Sequence, residues 1–198
     1  MVTTASRRAL LAATANGMLL TLWGCAAGYV QPLALVLAAT HAGLEAWAQS
    51  SDDGPVDRGD AVSFVSSGLA LLVVYGSAIS ASQDVSGLVV ALWVLGIGLR
   101  VGAMVDLGRE FRSSTRSGLA DPVRTGLYRW CAHPSEVGFL SCVWVPTLHV
   151  GTAPAVVAAI IGSIGAAWRV RQENRDMSGR LALRCREPRR ASARRASS

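Results

Sequence analysis

The chain has 198 residues, of which 51% are hydrophobic and only 16% are charged, with a net charge of +6. Soluble domains usually carry about 25% charged residues, so this composition excludes an ordinary soluble domain. No charged residue occurs within 9–44, 61–83 or 137–168. Because about 20 apolar residues span the hydrocarbon core of a bilayer, these runs predict an integral membrane protein.

The first half of the chain predicts four transmembrane helices, taken here in chain order. The segment 28–32 contains Gly28 and Pro32 and predicts a tight turn within the first run. The acidic segment 50–60 predicts a loop, and Gln83 and Asp84 lie in a second, shorter loop. The predicted helices cover about 8–28, 32–49, 61–81 and 86–107.

The second half of the chain predicts a connector, a helical hairpin and a tail. Residues 108–134 are polar and contain five arginines. The apolar block 137–168 exceeds one span, and Pro146 together with 151–154 divides it into two helices. We therefore expect an all-α polytopic membrane bundle of about six transmembrane helices. Its single domain, 1–198, comprises helices over 8–107, a connector over 108–134, the hairpin and a C-terminal segment over 135–177, and a basic, disordered tail over 178–198.

The distribution of arginine predicts the orientation. If Arg7 and Arg8 are cytoplasmic, six crossings place 50–60, 108–134 and the tail on the same side, and the three outer loops then contain no arginine. This is the positive-inside pattern. We expect an integral protein of a bacterial inner membrane with both termini in the cytoplasm. Its expected partners are the bilayer and a lipophilic small molecule, and not nucleic acid.

Several acidic side chains are candidates for chemistry. His41 and Glu45 are four residues apart and share a helix face, as do Asp106 and Glu110. Each pair either lines a polar cavity or marks the point where its helix enters water. The four cysteines form no C-x-x-C pair, and the sequence predicts neither a disulfide framework nor a metal site.

The segment 125–138, Thr-Gly-Leu-Tyr-Arg-Trp-Cys-Ala-His-Pro-Ser-Glu-Val-Gly, leads into a membrane helix. Pro134 suits the first position of that helix, where a missing N–H costs nothing. The free amides there favour an anionic group, and His133 lies beside them. Gly138, one turn later, leaves room for a close approach. The alternative is an ordinary helix start that happens to include a histidine.

This segment resembles the G-P-Y-R-Y-x-R-H-P-x-Y-x-G signature of the isoprenylcysteine carboxyl methyltransferase and phospholipid methyltransferase superfamily. Two further segments resemble family patterns in the same order: 107–111, Leu-Gly-Arg-Glu-Phe, and 169–177, which begins Arg-Val-Arg-Gln-Glu. The resemblance covers about 95–180. The matching signature residues are Gly126, Tyr128, Arg129, His133, Pro134 and Gly138.

The resemblance implies a methyltransferase that binds S-adenosylmethionine on the cytoplasmic side and takes a lipophilic, isoprenoid-bearing substrate from the bilayer. It assigns Arg169 to positioning the substrate or the reaction centre, and Glu173 to the ammonium group of the cofactor. The other implied cofactor-binding residues are Tyr128, Arg129, His133, Pro134 and Gly138.

Three residues depart from the family patterns. Ala132 replaces an arginine, Glu136 a tyrosine, and Asn174 the second of two glutamates. Two alternatives therefore stay open. One is a cofactor-independent isoprenoid cyclase or isomerase, in which a carboxyl in an apolar cavity acts as the acid. The other is a family member without catalysis. The candidate proton donors are Glu136, Asp106, Glu110 and Glu45.

Overall fold

The computed structural model describes residues 30–49, 58–107 and 125–195, and it is all-helical over these ranges. The part described contains five α-helices, one short 3-10 helix and no β-strand, which confirms the predicted all-α class for these residues. The helices are α1 (Pro32–Gln49), α2 (Arg58–Ile79), α3 (Gly87–Leu107), α4 (Pro134–Val150) and α5 (Ala153–Arg195), and the 3-10 helix is Gly126–Arg129.

The described helices agree closely with the apolar runs of the sequence. α1 and α3 lie where helices over 32–49 and 86–107 are predicted, whereas α2 begins three residues earlier than expected. Two helices within the described ranges are long and apolar enough to cross a membrane, Gly87–Leu107 and Ala153–Arg175, and Val65–Ile79 is a shorter apolar helix. The predicted helix over 8–28 lies outside the described residues, so the number of six is not confirmed.

The predicted hairpin is present, but Pro146 does not divide it. Pro146 is buried inside α4, and the chain turns only at Gly151, whose φ of 65° is left-handed. Glycine adopts this conformation without a Cβ penalty, and its N–H donates to the carbonyl oxygen of Thr147 over 2.8 Å. Membrane helices tolerate an internal proline because neighbouring groups satisfy the freed carbonyl. The break therefore follows from Gly151 alone.

The last helix, α5, has 43 residues and ends at Arg195. Its last part, 179–195, consists mostly of arginine, alanine and leucine, which are good helix formers, and it also contains Pro188. The predicted disorder of the segment 178–198 stays a prediction. At about 1.5 Å per residue α5 is roughly 65 Å long, about twice the thickness of a hydrocarbon core.

Small residues set the distances between the helices. A Cβ built on Gly138 of α4 would lie 2.5 Å from the backbone nitrogen of Arg100 in α3, and one on Gly96 would lie 2.8 Å from the Cβ of Ser141. Small residues allow membrane helices to pack this closely. Gly162 of α5 likewise lies against Ala70 of α2. The contact between α3 and α4 brings Arg100 to the first turn of α4.

Candidate functional site

Four charged side chains, one from each of α1, α3, α4 and α5, meet between the helices. We call Glu45, Arg100, Glu136 and Arg169 the ion cluster. Nη2 and Nε of Arg100 both donate to Oε1 of Glu45, over 2.7 and 3.3 Å. Oε1 of Glu136 accepts a hydrogen bond from Nη1 of Arg169 over 3.1 Å and lies 3.7 Å from Nη1 of Arg100. Two guanidinium groups are thus matched by two carboxylates, as buried charges require.

Arg100 also holds the beginning of α4. Its Nη1 donates to the hydroxyl of Ser135 over 2.7 Å and to the carbonyl oxygen of the same residue over 3.3 Å. The guanidinium carbon lies 5.6 Å from the ring centre of Phe139, one turn further along. Arg100 is only 5% exposed, so these contacts replace its water. The arginine therefore fixes the turn that follows His133.

The ion cluster continues into a buried aromatic group. Nδ1 of His41 is 2.6 Å from the hydroxyl of Tyr75, which also accepts the indole N–H of Trp93 over 3.3 Å. Nε2 of His41 lies 3.5 Å from Oε2 of Glu45. His41 is 1% exposed and Glu45 is mostly buried. Both side chains thus face the interior of the bundle, and a polar cavity beside them stays a prediction.

A second group of polar side chains joins the beginning of α4 to α5. We call His133, Glu173 and Asn174 the histidine cluster. Nδ1 of His133 is 3.0 Å from Oε2 of Glu173, and Nε2 is 3.3 Å from Oδ1 of Asn174. The hydrogen bond to Glu173 raises the pKa of His133 above its ordinary value, although partial burial opposes this. Asn174, which stands in place of a family glutamate, thus still offers an oxygen to the histidine.

The motif segments 125–138 and 169–177 contact each other at two points that lie one helical turn apart. Glu136 and Arg169 form one contact and His133 and Glu173 the other. Glu136 lies three residues after His133, and Glu173 lies four residues after Arg169, so on each helix the two members share a face. Four of the predicted site residues are therefore neighbours in the structure.

The 3-10 helix carries two further predicted site residues. Tyr128 is half-buried, and its burial, together with the charge of Glu173, raises the pKa of its hydroxyl. Arg129 is exposed, and its guanidinium carbon lies 5.5 Å from the ring centre of Trp130. Tyr128 is therefore partly buried within the influence of the Glu173 charge, whereas Arg129 lies at the surface.

Asp106 anchors this 3-10 helix. Its Oδ2 accepts the N–H of Leu127 over 2.7 Å. Gly126 has a φ of 55°, and a Cβ there would overlap the carboxylate of Asp106. Asp106 is itself exposed, so it does not occupy the apolar cavity that a proton donor needs. Its predicted partner Glu110 lies outside the described residues.

Pro134 and Gly138 pack within the protein. Pro134 is fully buried at the first position of α4, as predicted. Gly138 faces the backbone of Arg100, so α3 makes the close approach that the glycine permits. The sequence predicts a cofactor beside Gly138, and this contact stays a prediction.

Three tryptophans beside the two clusters are exposed. Trp47 lies two residues after Glu45, Trp130 three residues before His133, and Trp168 directly before Arg169. Their exposed fractions are 62%, 82% and 52%. The buried Trp93 and the partly buried Trp144 instead donate hydrogen bonds within the bundle. The three exposed rings thus lie at the same end of the bundle as the site.

The predicted site omits Arg100 and includes Glu45 only as a candidate acid, not as the partner of Arg100. Arg100 is the one charged residue within the predicted span 86–107 before its last turn, and a charge in a membrane helix usually has a partner. Glu45 is the one carboxylate in the predicted helix 32–49. Matching these two charges would have found the ion pair.

The family model described as the isoprenylcysteine carboxyl methyltransferase family matches residues 89–179, slightly less than half of the chain. The match begins in α3, includes the 3-10 helix and α4, and ends in α5. No curated protein and no solved structure matches the chain. The resemblance that the three motifs indicate is therefore confirmed over this range, and it supports a membrane methyltransferase in general terms.

Proposed function

Because residues 89–179 match the model of the isoprenylcysteine carboxyl methyltransferase family, we propose that the chain is an integral membrane methyltransferase. It transfers a methyl group from S-adenosylmethionine to a lipophilic, isoprenoid-bearing substrate. The observation that carries this proposal is the contact of His133 with Glu173 and Asn174, which joins the two motif segments.

The groups in the histidine cluster fit S-adenosylmethionine chemically. The cofactor carries an ammonium, a carboxylate and a sulfonium group. The side chain of Glu173 is 39% exposed and suits the ammonium group. His133 in its protonated form and the first amides of α4 suit the carboxylate. We propose that these residues hold the cofactor, with Tyr128 and Arg129 beside them.

When bound, S-adenosylmethionine supplies the methyl group. The chain then has to align the accepting atom and exclude water, and such alignment alone contributes much of the rate. We assign this alignment to Arg169, whose side chain is 13% exposed at the border between the ion cluster and the histidine cluster. Its hydrogen bond to Glu136 fixes the direction of the guanidinium.

The cyclase or isomerase alternative is less well supported. It requires a carboxylic acid with a proton to donate, and Glu136 is its best-placed candidate. The carboxylate of Glu136 instead accepts a hydrogen bond from Arg169 and lies near Arg100. A carboxylate between two guanidinium groups is committed to ion pairing. Product formation without any cofactor, abolished in Glu136→Gln, would establish the alternative.

Binding of S-adenosylhomocysteine to the purified full-length protein in detergent tests the proposal. We expect micromolar binding by isothermal titration calorimetry, weakened about tenfold or more in His133→Ala and in Glu173→Gln, because a lost contact to a charged ligand group costs about 1.4 kcal/mol or more. Asp84→Asn removes an exposed carboxylate far along the chain and is the matched control, with unchanged affinity. Absence of binding by the wild-type protein would overturn the proposal.

A further inference from the structure

We propose that Glu45 is a positioning residue of the site, acting through Arg100 on the first turn of α4. Glu45 lies in α1, outside the family match. Its carboxylate orients Arg100, and Arg100 in turn fixes Ser135. Glu136 then stays paired with Arg169. This inference deepens the proposed function and rests on it for its effect on cofactor binding.

The guanidinium of Arg100 links α1 directly to α4. Its Nε and Nη2 side faces Glu45, and its Nη1 side faces the hydroxyl and carbonyl oxygens of Ser135. A guanidinium is a rigid planar fork, so the direction of one side determines the direction of the other. Ser135 lies two residues after His133 and is itself buried. The carboxylate in α1 thereby sets the geometry next to the histidine cluster.

Glu45 is held in its own orientation by buried groups. Its Oε2 faces Nε2 of His41 at 3.5 Å, whereas its Oε1 accepts from Arg100. The ring of His41 is fixed by the hydroxyl of Tyr75, which is in turn held by the indole of Trp93. The ring of His41 thus lies between the hydroxyl of Tyr75 and the carboxylate of Glu45, and its Nε2 has no closer polar partner than Oε2 of Glu45 among the described residues.

Glu45 also determines which of two arginines, Arg100 or Arg169, forms the ion pair with Glu136. Oε1 of Glu136 is 3.1 Å from Nη1 of Arg169 and 3.7 Å from Nη1 of Arg100. Without the carboxylate of Glu45, Arg100 has an uncompensated charge, and Glu136 is the nearest remaining carboxylate. Arg100 would then turn to Glu136 and draw it away from Arg169. The contacts between α4 and α5 that frame His133 and Glu173 would shift with it.

A double-mutant cycle tests this coupling, with the affinity for S-adenosylhomocysteine as the measured quantity. The variants are Glu45→Gln, Arg100→Gln and the double variant. We expect each single variant to weaken binding about tenfold and the double variant to be no weaker than Arg100→Gln, because both changes break the same link. Glu45→Asp, which retains the charge on a shorter side chain, should recover part of the affinity. Additive losses, or wild-type affinity in Glu45→Gln, would overturn the inference.

The control separates positioning from general damage to the bundle. Trp144→Phe removes the partly buried hydrogen bond from the indole to Ser163, which lies in the hairpin away from both clusters. We expect it to lower thermal stability without changing the affinity. If Glu45→Gln does not fold, the comparison of Glu45→Asp with Trp144→Phe decides the question in the same way.

A second measurement requires no ligand. Hydrogen–deuterium exchange of the peptide over 131–139 should be faster in Glu45→Gln than in the wild-type protein, and unchanged in Trp144→Phe. Failure of the wild-type protein to bind S-adenosylhomocysteine would contradict the proposed function alone, because the exchange still reports on the link from Glu45 to α4. Equal exchange in the Glu45→Gln and wild-type proteins would contradict the positioning role.

Discussion

The ion cluster and the histidine cluster lie one helical turn apart, yet they differ in burial and in chemistry. Arg100 and Glu136 are 5% and 8% exposed, whereas Glu173 is more than a third exposed. In the ion cluster, carboxylates and guanidinium groups neutralise one another away from water. In the histidine cluster, charged groups remain accessible. The difference is what we expect if the first cluster holds the helices in register and the second, as proposed above, binds the cofactor.

The largest expected effect is a difference between the two clusters in their contribution to the free energy of unfolding. Glu136→Gln leaves Arg169 and Arg100 short of a buried counter-charge and should lower the free energy of unfolding by about 3–5 kcal/mol. Glu173→Gln should change it by less than about 1 kcal/mol, because exposed ion pairs contribute little. Denaturation by SDS titration measures both variants. Equal losses would show that the two clusters do not differ in this way.

A smaller effect is expected where α3 and α4 touch. Gly138→Ala puts a methyl group against the backbone of Arg100, and overpacking of this kind should cost about 1–3 kcal/mol. Gly98→Ala is the matched control in α3, because a Cβ there meets nothing within 4 Å. The same SDS titration applies. If Gly138→Ala proved as stable as Gly98→Ala, the space beside Gly138 would be open, as the prediction of a ligand there requires.

The smallest expected effect is a change in the pKa of His133. The pKa of His133 is raised above 6.5, mainly by the hydrogen bond to Glu173. Protonated His133 therefore stabilises the folded state fully below about pH 6.5, and this contribution is lost as the pH rises through the raised pKa. NMR of labelled histidine should show the raised pKa in the wild-type protein and a fall towards 6.5 in Glu173→Gln. His133→Gln assigns the signal among the three histidines.

An unchanged pKa in Glu173→Gln would show that the contact between His133 and Glu173 is absent in solution. The difference in unfolding free energy between the wild-type protein and Glu173→Gln should also shrink at alkaline pH, because neutral His133 gains little from the carboxylate. A difference that grows with pH would contradict the assignment of the charge to His133.

The sequence predicts local features of this fold well. The positions of α1 and α3 follow from the turn at 28–32 and from the polar segments 50–60, 83–84 and 108–134, and the start of α4 follows from Pro134. Pro146 misleads, because a membrane helix absorbs one missing N–H when its neighbours satisfy the freed group. Gly151 is the better signal, because glycine adopts the left-handed conformation of this turn at low steric cost.

The site could be predicted only in part. The motifs identify His133 and Glu173, and the structure places them in contact. The ion pair of Glu45 and Arg100 joins residues 55 positions apart, and no motif encodes such a pair. Asp106 is a further case, since the sequence offers it as a candidate proton donor and the structure shows its carboxylate accepting a backbone N–H. Tertiary geometry decides whether a carboxylate anchors the chain or faces a ligand.

The exposed tryptophans have a consequence for the depth of the site. Indole rings concentrate at the boundary between hydrocarbon and headgroups, because the ring is apolar and its N–H is polar. Trp47, Trp130 and Trp168 each lie within a few residues of a cluster member. For the proposed membrane methyltransferase, the three rings would put the ion cluster near the headgroup level rather than in the middle of the bilayer. A lipophilic substrate would then meet the protein with its polar end while its chain stays among the lipid tails.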